Sequence, residues 1–365
     1  MNKVQRIKKE KTFPARSLFS VFCSLLIVLC SLFFVSCSSM ATSAEEYFNL
    51  GMAFYDLGKF EDAEKWLTRA RQADKTYSAS QYNLGRIAFE RKRYDEAAKI
   101  FEGILKKDPD NIIALRAAAY TRINMGNFEK AKDHYAHLLK LVPESSDDGY
   151  NHALVLFAME KYVEAEEILE KYPFALQDNK DVQLLYARTQ GRQNKVEAIE
   201  KFSNWLSVNS DARARYEYAQ ILEYHEYYAR ALEEYRKAHT DIADNATSPS
   251  KLEVRFSIAK LLLIAESENN SGVTELQSAV EDGYNNIQSI EELLTHPRIS
   301  AANKNSLRTI ADNLRREELA VQERRRSEQR RLEAEQRRLE EEQRQRELEE
   351  QEAEYSETYS ETYSD

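Results

Sequence analysis

The sequence predicts an all-α protein, an array of helix pairs followed by a long charged single helix and a disordered tail. Glycine and proline, which helix interiors disfavour, number only 9 and 6 among 365 residues, and no proline follows Pro297. A pattern of residues recurs every 34 positions over more than half of the chain, as in stacked pairs of short helices. Charged residues make up 31% of the chain, which excludes a protein embedded in a membrane.

Residues 1–36 have the pattern of a secretory signal peptide. Six basic residues and one acidic residue precede an uncharged, mostly apolar run over residues 17–36, SLFSVFCSLLIVLCSLFFVS. The run leads to Val35-Ser36-Cys37, which resembles the lipobox of bacterial lipoproteins, although Phe34 stands where that motif usually has Leu. The resemblance implies that Cys37 is lipidated and that residues 37–43 form a linker.

The other two cysteines are poorer candidates for lipidation, because Cys23 and Cys30 follow the bulky residues Phe22 and Leu29. An uncleaved transmembrane anchor is the alternative, since about 20 apolar residues suffice to span a bilayer. Either outcome predicts a bacterial cell-envelope protein that is anchored to a membrane and faces the periplasm or the exterior. The inner and outer membranes are not distinguished by this pattern.

The charge of the mature chain argues against a nucleic-acid partner. Cleavage before Cys37 removes six basic residues and one acidic residue, which lowers the formal net charge from −10 to −15. Nucleic acid and anionic lipid surfaces repel such a chain. Attachment to a membrane therefore depends on the predicted anchor.

Residues 44–239 carry the 34-residue period. The clearest element is an aromatic residue followed by Ala three positions later, at Phe60/Ala63, Tyr94/Ala97, Phe128/Ala131 and Tyr162/Ala165. The pattern continues more loosely to Tyr228/Ala231, and Leu50-Gly51 recurs as Leu84-Gly85. Small residues at these places predict points where the two helices of a pair cross closely.

These residues resemble the tetratricopeptide repeat, in which Leu-Gly, Tyr, Ala, Phe, Ala and Pro recur at the same offsets. The resemblance implies six helix-pair repeats over 44–239, with the copies at 44–77 and 78–111 matching best. Arg122 departs from the family pattern, which prefers an aromatic residue there, and the fifth copy has a one-residue slip in its turn.

The rest of the chain divides by composition. Residues 240–251 are predicted to form a loop, and 252–313 a degenerate terminal repeat with capping helices. Residues 314–354 consist almost entirely of Arg, Glu, Gln and single Leu residues, which predicts a charged helix supported by ion pairs four residues apart. Residues 355–365, with the repeat YSET, are predicted to be a disordered tail.

The charged helix has one apolar position per heptad, at Leu332 and Leu339, where a coiled coil needs two. A solvated single helix is therefore favoured over a homodimer through this helix.

No motif for catalysis, a cofactor or a metal is evident. There is no G-x-S-x-G sequence and no glycine-rich phosphate loop, and His134 and His137, on one helix face, have no third metal ligand nearby in the sequence. We therefore predict that the protein is not an enzyme and binds no cofactor.

The resemblance also implies a concave groove, lined by the first helices of the repeats, that holds a peptide or helix of another protein. Its residues, carried onto this sequence with a neighbouring arginine, are Phe48, Met52, Tyr55, Tyr82, Arg86, Phe89, Arg116, Tyr120, Ile123, Tyr150, Leu154, Phe157, Tyr216 and Gln220. Aromatic residues often dominate binding energy at protein interfaces. The alternative is that several of them pack against the next repeat.

The sequence therefore predicts a lipid-anchored, extracytoplasmic scaffold or adaptor that mediates protein–protein interactions in the bacterial cell envelope. Two alternatives stay open, a structural envelope spacer and a periplasmic component that serves a transporter or an outer-membrane assembly machine.

Overall fold

The computed structural model describes residues 43–362, apart from Tyr77 and residues 266–269, and describes side chains as far as residue 352. The predicted signal peptide and the lipidation site at Cys37 lie outside the described residues. Seventeen helices and no strand occur within this part of the chain, which confirms the all-α prediction. None of these helices is both long and apolar enough to cross a membrane. The chain divides into two compact units, up to Pro143 and from Glu144.

The first unit consists of three helix pairs. They are α1 (Ala44–Asp56) with α2 (Phe60–Ala73), α3 (Ser78–Glu90) with α4 (Tyr94–Leu105), and α5 (Ile112–Asn124) with α6 (Phe128–Leu141). The array starts with a capping box, in which the Glu46 backbone N–H donates to Ser43 Oγ and the Ser43 N–H donates to Glu46 Oε2.

The second unit continues with helix pairs and ends in a long helix. Its helices are α7 (Ser146–Ala158), α8 (Tyr162–Leu169), α9 (Pro173–Asp178), α10 (Lys180–Arg192), α11 (Glu197–Val208), α12 (Ala212–Tyr224), α13 (Tyr228–Asp241), α14 (Lys251–Ala265), α15 (Ser271–Glu281), α16 (Ile287–Leu294) and α17 (Ala301–Thr362). The short helix α9 is not predicted by the repeat. It begins at Pro173, because proline is well suited to the first position of a helix.

A left-handed backbone residue ends the turn inside each repeat. Such residues recur at intervals of 34, at Gly58, Lys92, Gly126, Glu160 and Asn194, and again after 32 residues at Glu226, all with φ between 55° and 70°. After Glu160 the next helix begins two residues later, at Tyr162, whereas after Asn194 it begins three residues later, at Glu197. The one-residue slip predicted for the fifth repeat is therefore confirmed.

Small side chains lie where the helices of a pair cross. The alanines of the 34-residue pattern are completely buried, at Ala63, Ala97, Ala131, Ala165 and Ala231. A Cβ atom added at Gly85 would lie 2.6 Å from Phe101 Cε1, well inside contact distance. Within the second pair, α3 can therefore approach α4 this closely only with glycine at position 85.

The long C-terminal helix predicted from the sequence is present. Helix α17 runs without a break from Ala301 to Thr362, so it begins before residue 314, where the charged helix is expected to start. No proline or glycine follows Pro297 to interrupt the helix. Leu307, Ile310 and Leu314 pack into the core of the second unit, which fixes the start of α17.

Glu166 is the main buried charge between α8 and α10. Its carboxylate accepts hydrogen bonds from Gln190 Nε2 at 3.0 Å, Gln193 Nε2 at 2.7 Å and Lys195 Nζ at 2.6 Å. Burial alone would raise the pKa of Glu166, but these donors outweigh burial and lower the pKa below its usual value of 4.5. The charged carboxylate therefore stabilises the fold.

We predict that Gly85→Ala lowers the free energy of unfolding by about 1–3 kcal/mol, because the added methyl group meets the buried Phe101 ring. Gly103→Ala is the matched control in α4, where the nearest atom to an added Cβ is Gln81 Nε2 at 3.4 Å. That variant should instead gain about 0.5–1 kcal/mol of stability through helix propensity. Urea unfolding of both variants measures the contrast, and equal effects would contradict the crossing at Gly85.

The Glu166 carboxylate should make stability depend on pH. Its folded pKa lies below the unfolded value, so its contribution is complete above pH 4.5 and is lost as the pH falls through the folded pKa. The stability difference between the wild type and Glu166→Gln should therefore shrink below pH 4.5.

Urea unfolding at a series of pH values measures this difference. Glu167→Gln, which changes an exposed carboxylate on the same helix, is the control and should show little of this dependence. A difference for Glu166→Gln that stayed constant with pH would contradict the assignment.

Candidate functional site

The first helices of the first two repeats are joined by an arginine that lies on an aromatic ring. Arg86 on α3 donates a hydrogen bond to the Tyr55 hydroxyl on α1 at 3.0 Å, and its guanidinium carbon lies 4.5 Å from the Tyr55 ring centroid. Arg86 also donates to Asn83 Oδ1 at 3.0 Å. No carboxylate among the described residues lies within ion-pairing distance of Arg86, so its charge is available to a ligand.

The row continues to the third repeat through aromatic contacts. The ring of Phe89 on α3 lies 5.3 Å from that of Tyr120 on α5 and 5.3 Å from that of Tyr94. Tyr120 remains 53% exposed. We call Tyr55, Arg86, Phe89 and Tyr120 the aromatic row.

The other residues predicted for the groove in this unit differ in burial. Phe48 packs against the cluster around Ala63 and Leu67, and the Tyr82 ring lies 5.7 Å from that of Phe101, so both also contribute to the core. Met52 and Ile123 are half-buried and Arg116 is exposed. None of the predicted residues in the first unit is fully buried.

The sequence prediction of the groove did not include Ile113, an exposed residue beside the aromatic row. Ile113 is 57% exposed and precedes Tyr120 by seven residues, about two helical turns, so both lie on the same side of α5. The seven-residue spacing in the sequence was a signal for this position, but Ile113 lies outside the offsets that the family assigns to the groove.

In the second unit, the predicted residues fall into two groups. Tyr150, Leu154 and Phe157 are half-buried and pack against a cluster that includes Ala153 and Leu156. Tyr216 and Gln220, on α12, line a cleft of about 650 Å³ that the sequence analysis did not predict.

Arg122, which departs from the repeat pattern, forms a partly buried ion pair with Glu102. Burial alone would raise the pKa of Glu102, but the hydrogen bond and the charge of Arg122 lower it below the usual value. Arg122 is therefore already paired and, unlike Arg86, has its charge neutralised.

His134 and His137, the two histidines considered above as metal ligands, lie in different environments. His137 Nε2 lies 2.9 Å from Asp110 Oδ1, and burial lowers the pKa of His134. No group of three or more His, Cys, Asp or Glu side chains in the described part of the chain is placed to hold a metal ion.

Comparison with known proteins identifies the repeats. Two family models, both described as tetratricopeptide repeat, match residues 48–112 and 88–149. An uncharacterized lipoprotein of Treponema pallidum is 27% identical over 142 residues, which cover 39% of this chain and 72% of that protein. The mouse NatA auxiliary subunit N-alpha-acetyltransferase 16 is 27% identical over 122 residues, and the match covers 33% of this chain but only 14% of the mouse protein.

Among solved structures, a tetratricopeptide repeat protein from Parabacteroides merdae is similar, with a TM-score of 0.49 and 23% identity. The similarity covers 68% of this chain and 96% of that protein. The family matches lie where the 34-residue period is most regular, and the described helices of that region form the expected pairs. Residues 48–149 therefore match the tetratricopeptide repeat family, whose helix-pair repeats support a scaffold for protein–protein interaction.

Proposed function

We propose that this protein is a lipid-anchored adaptor of the bacterial cell envelope that binds a segment of another protein along the aromatic row. The observation that carries the proposal is the position of Arg86 on the Tyr55 ring without a carboxylate partner among the described residues. The chain has a formal net charge of −10, so Arg86 places an unneutralised positive charge within an acidic chain.

The row fits a segment that has both apolar side chains and a carboxylate. Tyr120 and Ile113 offer exposed apolar surface on α5, and the Arg86 guanidinium can donate hydrogen bonds to a carboxylate. The acidic character of the rest of the chain repels a purely acidic partner. A segment with an acidic residue near two or three apolar residues matches this distribution.

We predict that Arg86→Gln combined with Tyr120→Ala lowers affinity for the partner about thirtyfold, because anchor residues of this kind contribute about 2 kcal/mol or more. Helix content should be unchanged, since Arg86 is half-buried and Tyr120 is exposed. Crosslinking in living cells, followed by identification of the captured protein, supplies the partner for the affinity measurement.

Leu57→Ala is the control, since Leu57 is 69% exposed in the turn between α1 and α2 and is not part of the row. It should bind the partner as the wild type does. A folded double variant that retained full affinity would show that the partner binds elsewhere.

The envelope location is supported by two observations of different kinds. The N-terminal sequence has the order of a lipoprotein signal, with a basic start, an apolar run and a small residue before Cys37. A relative from Treponema pallidum is described as a lipoprotein.

We predict that Cys37→Ala abolishes incorporation of a labelled fatty acid in metabolically labelled cells, because the acylated cysteine is removed. The protein should then accumulate as the uncleaved precursor or be released from membranes. Cys30→Ala is the matched control, in the apolar run that precedes Cys37, and should keep the label. Label retained by Cys37→Ala would contradict the assignment, and loss of label in both variants would point to a general defect in export.

A spacer is the second candidate function, favoured by helix α17. The helix has 62 residues, a length of about 90 Å, and every described side chain from Arg315 to residue 352 is exposed. Leu332, Leu339 and Leu348 remain more than half exposed, so their apolar surface is available to a partner, including a second copy of this helix. An adaptor that uses the aromatic row should tolerate removal of residues 330–365, whereas a spacer should not.

A further inference from the structure

The cleft in the second unit is a second place where this chain can hold a ligand. It has a volume of about 650 Å³, within the range of small-molecule sites in proteins. Residues of helices α12, α13 and α14 line the cleft, together with Tyr284 and residues of α16. All of these elements belong to the second unit, so the cleft is separate from the aromatic row.

Aromatic rings form much of the wall. The rings of Phe256 and Tyr284 are stacked at 4.8 Å with an interplanar angle of 10°, and those of Tyr216 and Tyr235 lie 5.4 Å apart. Burial raises the pKa of Tyr216, and it raises that of Tyr284 to about 12, so both hydroxyls are neutral at physiological pH. Neutral aromatic faces attract cations.

One aromatic ring of the cleft already contacts a cation. The guanidinium carbon of Arg298 lies 5.1 Å from the ring centroid of Tyr228, and this arginine also pairs with Glu226 at 2.9 Å. The wall is thus compatible with a guanidinium held between an aromatic face and a carboxylate.

The charges that line the cleft are predominantly negative. Glu223 is neutralised by Lys260 at 2.6 Å and also accepts a hydrogen bond from Tyr235. Glu253 and Glu292 have no basic partner among the described residues. Burial lowers the pKa of His296, which also lines the cleft, so that side chain is neutral at physiological pH.

The two remaining carboxylates retain capacity to accept hydrogen bonds. Glu253 Oε2 accepts from the Ser250 backbone N–H at 2.6 Å, and Glu292 Oε1 accepts from Gln288 Nε2 at 3.2 Å. The other oxygen of each carboxylate accepts no hydrogen bond from a described residue. A cation in the cleft can therefore find two carboxylates and several aromatic faces within one site.

From the cleft, its rings and its two unneutralised carboxylates, we propose that this site binds an organic cation, an alkylammonium or a guanidinium group. The apolar part of the ligand packs on the stacked rings of Phe256 and Tyr284, and its charged end interacts with Glu253 and Glu292. The cation is supplied either by a free polyamine or by a Lys or Arg side chain of a peptide segment. The proposal does not rest on the function proposed for the aromatic row.

Calorimetric titration of the full chain in detergent tests the site with two probes. One is spermidine, and the other is an end-blocked Ala-Ala-Arg-Ala-Ala peptide, compared with the same peptide carrying neutral citrulline in place of Arg. We expect saturable one-to-one binding of at least one cationic probe and none of the citrulline peptide. Binding of spermidine alone identifies a free amine as the ligand class, and binding of the peptide alone identifies a protein segment.

Glu253→Gln combined with Glu292→Gln should weaken this binding by about tenfold or more, because the shape of the side chains is kept and their charge is lost. Both residues are exposed, and Gln can replace Glu in the capping interaction with Ser250. Should the double variant fail to fold, Glu292→Gln alone should weaken binding about threefold. Glu281→Gln, which changes an exposed carboxylate on α15 outside the cleft, removes the same single charge as Glu292→Gln and should bind as the wild type does.

Three results would overturn the proposal. They are the absence of saturable binding of both cationic probes, equal binding of the citrulline peptide, and equal weakening by Glu281→Gln. The last would mean that the probes respond only to the net charge of the chain.

Discussion

This structure depends on how closely the two helices of a repeat can approach each other where they cross. The alanines of the repeat pattern are completely buried at these crossings, and at Gly85 an added Cβ atom would meet the Phe101 ring. Because the crossing point sets the angle of each pair, it also sets which face of each first helix is left uncovered. The aromatic row lies on those uncovered faces in the first unit, so its geometry follows from residues that do not belong to it.

Each candidate site combines aromatic rings with an unneutralised charged group, and this charge is positive in the aromatic row and negative in the cleft. In the aromatic row an unneutralised arginine lies against a tyrosine ring, which suits a ligand with a carboxylate. In the cleft, unneutralised glutamates lie near tyrosine and phenylalanine rings, which suits a ligand with a cation. A scaffold with two such sites can distinguish its ligands by charge, although aromatic surface provides much of the contact area in both.

The 34-residue period in the sequence was sufficient to predict the helix pairs and the buried alanines, because each depends on residues within one repeat. It did not predict α9, since a proline that ends one helix can equally begin another at Pro173. The left-handed turns at Lys92 and Glu160 were hidden because neither residue is glycine. The cleft was missed for a different reason, because its walls come from Tyr216 to His296 and only folding brings them together.

Helix α16 connects the cleft to the base of α17. It contributes Glu292 to the cleft, while Glu291 forms an ion pair with Arg315 and Leu293 packs in the same cluster as Leu307. Beyond Arg315 the long helix acts as a lever arm of about 70 Å. A rotation of about 10° at its base would sweep the far end through about 12 Å, a displacement comparable to the helix's own diameter. A movement of α16 too small to alter its packing would thus be multiplied at the distal end of the chain.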